Sequence, residues 1–182
     1  MEAKPTFKRG IIAVIEYLLG FLALAVFAAM AFGTGASDDS RTVLAFKVAS
    51  SIAVVELMVL YMRPQPANRL IVGANLWLLA GGLAAFTQQW WWLKGYQRLG
   101  ESSLFISLLV VGVATTLFSP AGFVAANGKK SQVRVASLML LIGVAVALAA
   151  SAYFKGNVKF AAVLPVIALS WLNRFLRLMV KH

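Results

Sequence analysis

Apolar residues run through this chain in six long stretches that are separated by short polar segments. The stretches cover residues 11–32, 43–62, 70–93, 104–125, 135–154 and 158–174. A helix needs about 20 apolar residues to cross a hydrocarbon core of about 30 Å, and all the stretches except the last meet that length. The pattern therefore predicts an all-α polytopic membrane protein, a single bundle of six transmembrane helices joined by short loops.

The amino-acid composition excludes the two other architectures that long apolar stretches suggest. The chain is 61% hydrophobic and 13% charged, whereas a soluble domain has roughly 25% charged residues. So few charges could not cover the surface of a water-soluble protein of 182 residues. The strands of a membrane β-barrel alternate apolar and polar residues with a period of two, whereas these stretches are continuous.

Residue types that commonly perform chemistry are scarce. The chain has no cysteine, and its one histidine is the last residue, so thiolate metal sites and an intramembrane histidine-ligated haem are excluded. None of the six acidic residues pairs with another at a spacing suited to a metal, and no glycine-rich phosphate loop is present. We therefore expect no cofactor and no enzymatic activity.

The basic residues predict an orientation in the membrane. If the N-terminus is cytoplasmic, 11 of the 17 lysines and arginines lie on the cytoplasmic side. These are Lys4, Lys8, Arg9, Arg63, Arg69, Lys129, Lys130, Arg134, Arg174, Arg177 and Lys181, against Arg41, Lys47, Lys94, Arg98, Lys155 and Lys159 on the other side. The positive-inside rule then places both termini in the cytoplasm, and the lack of cysteine fits a bacterial inner membrane.

The formal net charge of +11 predicts contact with anionic lipid headgroups. Binding to a nucleic acid would need a basic cluster of some extent, and none of the short loops provides one. We therefore expect no nucleic-acid partner.

Five polar or charged residues fall within the predicted spans, at one depth in the cytoplasmic third of the bilayer: Glu16, Glu56, Asn75, Asn173 and Arg174. A charge at this depth costs about 2.5–3.5 kcal/mol on insertion scales, so a charged residue here needs a structural or functional explanation. Three interpretations remain open. The two carboxylates form a proton- or cation-coupling site, or one of them pairs with an arginine between helices, or one of them binds a neighbouring subunit.

Small residues spaced four apart predict close contact between helices, because association in lipid depends on tight packing. They form one stripe on each odd-numbered span: Ala25, Ala29 and Gly33; Gly81 and Ala85; Gly143, Ala147 and Ser151. We expect these three stripes to meet in a shared central seam.

Three further patterns concern aromatic, glycine and proline residues. Trp90, Trp91, Trp92 and Tyr96 predict an aromatic belt at the non-cytoplasmic interface. Glycine pairs with a common spacing (20 and 33, 82 and 95, 143 and 156) recur about every 62 residues and suggest a three-fold repeat of helical hairpins. Pro120 and Pro165 are predicted to interrupt the fourth and sixth helices from within.

These features favour a non-catalytic subunit of a larger membrane assembly, formed with other membrane proteins or with copies of itself. The supporting observations are the smooth helix faces, the lack of a catalytic constellation and the lack of an extramembrane domain. The alternative is a small proton- or cation-coupled transporter or channel in which Glu16 and Glu56 are the coupling or lining residues.

Overall fold

The computed structural model describes residues 20–33, 39–62 and 66–181, and every regular element within these ranges is helical. The α-helices are α1 (Leu22–Phe32), α2 (Asp39–Met62), α3 (Arg69–Phe86), α4 (Trp90–Leu99), α5 (Ser102–Phe118), α6 (Lys130–Tyr153) and α7 (Leu164–Lys181). A π-helical turn, Lys159–Val163, leads directly into α7. The predicted all-α class is confirmed.

Within the described residues, four helical segments are long and apolar enough to cross a membrane: Asp39–Met62, Arg69–Phe86, Lys130–Tyr153 and Lys159–Val180. Helices α4 and α5 together make a fifth candidate, although they bend by 99° relative to each other. Helix α1 is apolar but only 11 residues long. The chain is therefore a polytopic helical membrane protein, and the predicted count of six helices agrees roughly with these segments.

The helices pack mainly with neighbours along the chain. Helix α2 lies against α1 and α3, α5 lies between α3 and α6, and α7 packs on α6. One buried apolar cluster joins α1, α2 and α3, and a second joins α5, α6 and α7. Helix α3 is the most buried of the spanning helices and contributes to both clusters, through Trp77 to the first and Leu70 to the second.

The third predicted span, 70–93, is not one helix. Helix α3 ends at Phe86, Gln88 takes a positive φ of 56°, and α4 begins at Trp90. The side chain of Thr87 donates to the Leu83 carbonyl and so satisfies one of the last acceptors of α3. After Gly100 (φ 58°) the chain turns into α5. The long apolar run therefore contains a break that hydropathy alone does not reveal.

The fourth predicted span, 104–125, also ends early, because α5 stops at Phe118 and Pro120 lies in the following turn. The prediction that Pro120 interrupts a helix from within is wrong. Residues 121–126 form a buried turn segment in which the backbone N–H groups of Phe123 and Val124 donate to Ser137 Oγ of α6. This hydroxyl replaces the helical hydrogen bonds that the turn cannot make.

The last predicted span, 158–174, is shorter than the observed helix. Pro165 is the second residue of α7, but α7 is continuous with the π-helical turn before it, in which the Leu164 N–H donates to the Lys159 carbonyl, so this helical run contains Pro165. The π-helical turn changes the helical hydrogen-bond pattern just before Pro165. Helix α7 then continues to Lys181, and its last turns bury Leu176 and Val180 against the bundle. The basic end is thus part of a packed helix.

The glycines of the proposed repeat occupy unlike positions. Gly33 follows the end of α1, Gly95 lies in the middle of α4 with open space around it, and Gly156 is in a turn with a φ of 90°. The common spacing therefore does not mark equivalent positions in these three hairpins.

Candidate functional site

The carboxylate of Glu56 lies between three helices. Its Oε1 accepts a hydrogen bond of 2.8 Å from the backbone N–H of Ala23, at the start of α1. Its Oε2 accepts one of 2.8 Å from the side-chain amide of Asn75, on α3. Ala23 and Asn75 are buried, with exposed fractions of 0% and 1%. A side chain of α2 thus joins α1 to α3.

The local backbone explains why a carboxylate fits at this place. Phe21 departs from helical geometry (φ −112°, ψ 10°), and α1 starts immediately after it. The first N–H groups of a helix have no partner within the helix, and its dipole favours negative charge there. Glu56 supplies both the acceptor and the charge from a neighbouring helix, and charge-assisted hydrogen bonds of this length are strong ones.

The five predicted polar residues do not form one cluster in the described part of the chain. Glu56 and Asn75 are brought together, whereas Arg174 is exposed on α7. Glu16 lies outside the described residues. Asn173 is buried but belongs to a different site, where its Nδ2 donates to Asn68 Oδ1 over 3.1 Å.

This second polar site holds the first turn of α3 against α7. Asn68 caps α3 by accepting from the Leu70 N–H at 3.1 Å, and the same oxygen accepts from Asn173. Arg177, one turn further along α7, donates to the Ala125 carbonyl over 2.8 Å and lies 3.5 Å from the Pro66 carbonyl oxygen. Two buried atoms at this end, Arg69 Nε and Asn173 Oδ1, have no hydrogen-bond partner.

Sequence reasoning missed two residues of the second polar site. Asn68 had a usable signal, because an asparagine directly before an apolar run is a common helix N-cap. Arg177 had none, since its spacing from Arg174 and Lys181 indicates only a basic helix face. A contact with the Ala125 carbonyl depends on the turn after α5, which hydropathy does not predict.

The four aromatic residues of the predicted belt separate into two groups. Trp90, Trp91 and Trp92 are exposed by 56%, 69% and 42%, as side chains of an interfacial belt would be. Tyr96 instead points into the bundle, with its ring centroid 4.9 Å from that of Phe46 and 5.7 Å from that of Trp77. The assignment of Tyr96 to the belt is therefore corrected: it belongs to a buried aromatic cluster with Phe27, Phe46 and Trp77.

Two of the three small-residue stripes lie at helix contacts. A Cβ at Gly81 would overlap the ring of Phe46, so this glycine is what allows α2 and α3 to approach, and Ala85 is buried beside it. A Cβ at Gly143 would lie 2.7 Å from Leu172 Cδ2 of α7, and Ala147 and Ser151 are buried on the same helix.

The first stripe is placed differently. Ala25, Ala29 and Gly33 are exposed, and the buried face of α1 carries Ala23, Phe27 and Ala31. The small size of these residues is therefore not used in a helix contact. The expected central seam is not formed, because Gly81 faces α2 whereas Gly143 faces α7.

Within the described ranges, no group of three or more histidine, cysteine, aspartate or glutamate side chains is arranged to hold a metal ion. Comparisons of the chain with protein-family profiles, with curated proteins and with solved structures find no match. The proposals below therefore depend on the residues and their geometry.

Proposed function

We propose that this protein is a non-catalytic subunit of a membrane assembly, in which its bundle contributes helix surfaces to other membrane proteins or to further copies of itself. The observation that supports this best is the use of Glu56. Both carboxylate oxygens are engaged, one by the start of α1 and the other by Asn75. A carboxylate held in this way fixes the positions of three helices, which is a structural task.

The distribution of burial supports the same proposal. Only about a third or less of the residues in the most apolar windows of α2, α6 and the last spanning segment are buried within the chain, against 61% for α3. The outward faces expose large apolar side chains, such as Val55 on α2 and Ile142 and Val146 on α6, each exposed by 60% or more. Such faces suit lipid and also suit the helices of a partner.

We propose further that the assembly lies in a bacterial inner membrane, with both termini in the cytoplasm and anionic headgroups around the basic loops. Because the chain contains no cysteine, single cysteines provide clean probes of this orientation. In intact cells, a membrane-impermeant maleimide should label Lys155→Cys and leave His182→Cys unlabelled until the membrane is opened. The reverse pattern would overturn the orientation.

The assembly itself is tested on the full-length chain. Extraction in mild detergent followed by native mass spectrometry should give species heavier than the single chain of 19.6 kDa. Their masses distinguish copies of this chain from other subunits. A solitary monomer that transports a solute in liposomes would contradict the proposal.

The second candidate is a small proton- or cation-coupled transporter or channel that uses Glu16 and Glu56. One observation favours it: helical geometry is interrupted at Phe21, next to the Glu56 carboxylate. In many secondary transporters, interrupted helices present their ends to a substrate or ion at such a break.

Flux assays in liposomes separate the two candidates. The transporter candidate predicts a proton-linked flux that Glu56→Gln abolishes and that the exposed control Asp39→Asn leaves unchanged. Absence of flux from the unmodified protein, or a flux insensitive to Glu16→Gln and Glu56→Gln, would rule it out.

A further inference from the structure

An elongated cavity of about 470 Å³ separates α1 from α7. Its walls include Ala25 and Ala28 on one side and Ala162, Val166 and Ile167 on the other. Its surface is almost entirely apolar. Pockets of 300–1,000 Å³ are the usual size of small-molecule sites.

The chain fold accounts for this opening. Helices pair mainly with their sequence neighbours, and α1 and α7, the first and the last of the described helices, approach each other only loosely. Alanines on both walls remove the side chains that would otherwise fill the gap. The π-helical turn Lys159–Val163 forms part of one wall through Ala162 and Val163. Turns of this kind inside helices occur frequently at functional sites.

The length of the cavity matches one leaflet of a bilayer. The lining residues on the last spanning segment run from Val158 to Trp171, which corresponds to about 20 Å at a helical rise of about 1.5 Å per residue. Half of a hydrocarbon core is about 15 Å thick. The volume and the apolar lining suit one alkyl chain.

The hydroxyl of Ser170 lies toward one end of the cavity, and the charged lining residue, Glu101, lies at the other. Glu101 and Tyr96 line that end, at the junction of α4 and α5. The side chain of Lys155 passes Gly100, the neighbour of Glu101 in the chain, with its Cε 3.5 Å from the position of a Cβ there, and its ammonium donates to the Arg98 carbonyl. Lys159 is exposed and follows the lining residue Val158. Helix α4 also carries the exposed Trp90–Trp92 run, which places this end at the headgroup layer.

We propose that the cavity binds one zwitterionic phospholipid with a primary ammonium, of the phosphatidylethanolamine type. One acyl chain occupies the cavity between α1 and α7. The ammonium donates to the carboxylate of Glu101, and the phosphate accepts from Lys155 or Lys159. A carboxylate beside two lysines complements both charges of this headgroup, whereas an anionic lipid without an ammonium would leave Glu101 unpaired. This site is independent of the proposed assembly.

The test uses the full-length chain in detergent, exchanged against mixed micelles that contain phosphatidylethanolamine, phosphatidylcholine or phosphatidylglycerol. Bound lipid is counted per chain by native mass spectrometry. We expect one phosphatidylethanolamine per chain, held about tenfold more tightly than phosphatidylcholine, whose trimethylammonium cannot donate a hydrogen bond. Equal retention of the three lipids, or none, would overturn the proposal.

Matched variants locate the site. Ala162→Phe fills the cavity and should remove the bound lipid, whereas Ala145→Phe, on the exposed face of α6, should retain it. Glu101→Gln should reduce retention of phosphatidylethanolamine to that of phosphatidylcholine. If Ala162→Phe does not fold, Ala28→Leu on the opposite wall replaces it. Lipid binding that persists in the cavity-filling variant would place the lipid elsewhere and overturn the site.

Discussion

The contact between α2 and α3 and the gap between α1 and α7 are both lined by small residues, yet one is tightly closed and the other is open. At the first, Gly81 accommodates the ring of Phe46 and Gly82 accommodates Ser50, so each small residue faces a larger one. At the second, Ala25 and Ala28 face Ala162 across a cavity. Small residues bring helices together only when the opposite helix supplies side chains that fill the space.

The difference extends to polar groups. The closed region contains the hydrogen bonds of Glu56 to α1 and α3, which fix three helices at one depth. Across the open gap, the carboxylate of Glu101 stands at one end of an apolar lining. A substitution should therefore lower the free energy of unfolding strongly in the closed region and hardly at all at the gap.

The largest effect is expected for Glu56→Leu. This change leaves the Ala23 N–H and the Asn75 amide without an acceptor, and each unsatisfied buried donor costs about 1–3 kcal/mol. Thermal unfolding in one fixed detergent should show a destabilisation of about 2–4 kcal/mol. Glu101→Gln at the gap is the matched control, and in protein stripped of bound lipid it should leave the unfolding temperature unchanged. Equal effects of the two variants would contradict the contrast.

The next effect concerns Gly81→Ala. The added methyl group would overlap the ring of Phe46, which is 1% exposed and surrounded by other aromatic rings. Overpacking of this kind typically costs about 1–3 kcal/mol. Gly95→Ala is the control, because nothing lies within 4 Å of its Cβ position, and alanine in a helix is favoured over glycine by about 1 kcal/mol. Unfolding temperatures should therefore move in opposite directions for the two variants.

A smaller effect is expected for Asn68→Ala. The variant removes the cap of α3 and the partner of Asn173 Nδ2, both of which use the same oxygen. Loss of a helix N-cap costs about 0.5–2 kcal/mol. The exposed residue Gln132, replaced by alanine, serves as the control. Hydrogen exchange should increase in the first turn of α3, and exchange unchanged from that of the control would contradict the role of Asn68.

The spanning helices could be predicted from the sequence because hydropathy distinguishes stretches that are stable in lipid from stretches that are stable in water. Breaks within the apolar stretches were missed, since the average hydropathy of a stretch does not report the non-helical dihedral angles of single residues such as Gln88 and Phe21. The common depth of Glu56 and Asn75 was predicted, because both residues lie at a similar distance from the same end of adjacent antiparallel helices, but their hydrogen bond to each other was not. Arg177 and Tyr96 were misjudged because helical periodicity does not say which neighbour a side chain meets.

The same substitution at two alanines, Ala53 on α2 and Ala25 on α1, compares the closed contact with the open gap directly. Ala53→Leu adds three carbons at a position of α2 that is 0% exposed, and it should destabilise the protein by about 1–3 kcal/mol. Ala25→Leu adds the same atoms on α1 where the side chain borders the cavity, so it should change stability by no more than about 0.5 kcal/mol. Unfolding temperatures of the two variants in the same detergent make the measurement. The two variants are compared after lipid removal. Destabilisation by Ala25→Leu that persists there would mean that the gap is closed by side chains, whereas destabilisation seen only in lipid-bearing protein would indicate a bound acyl chain.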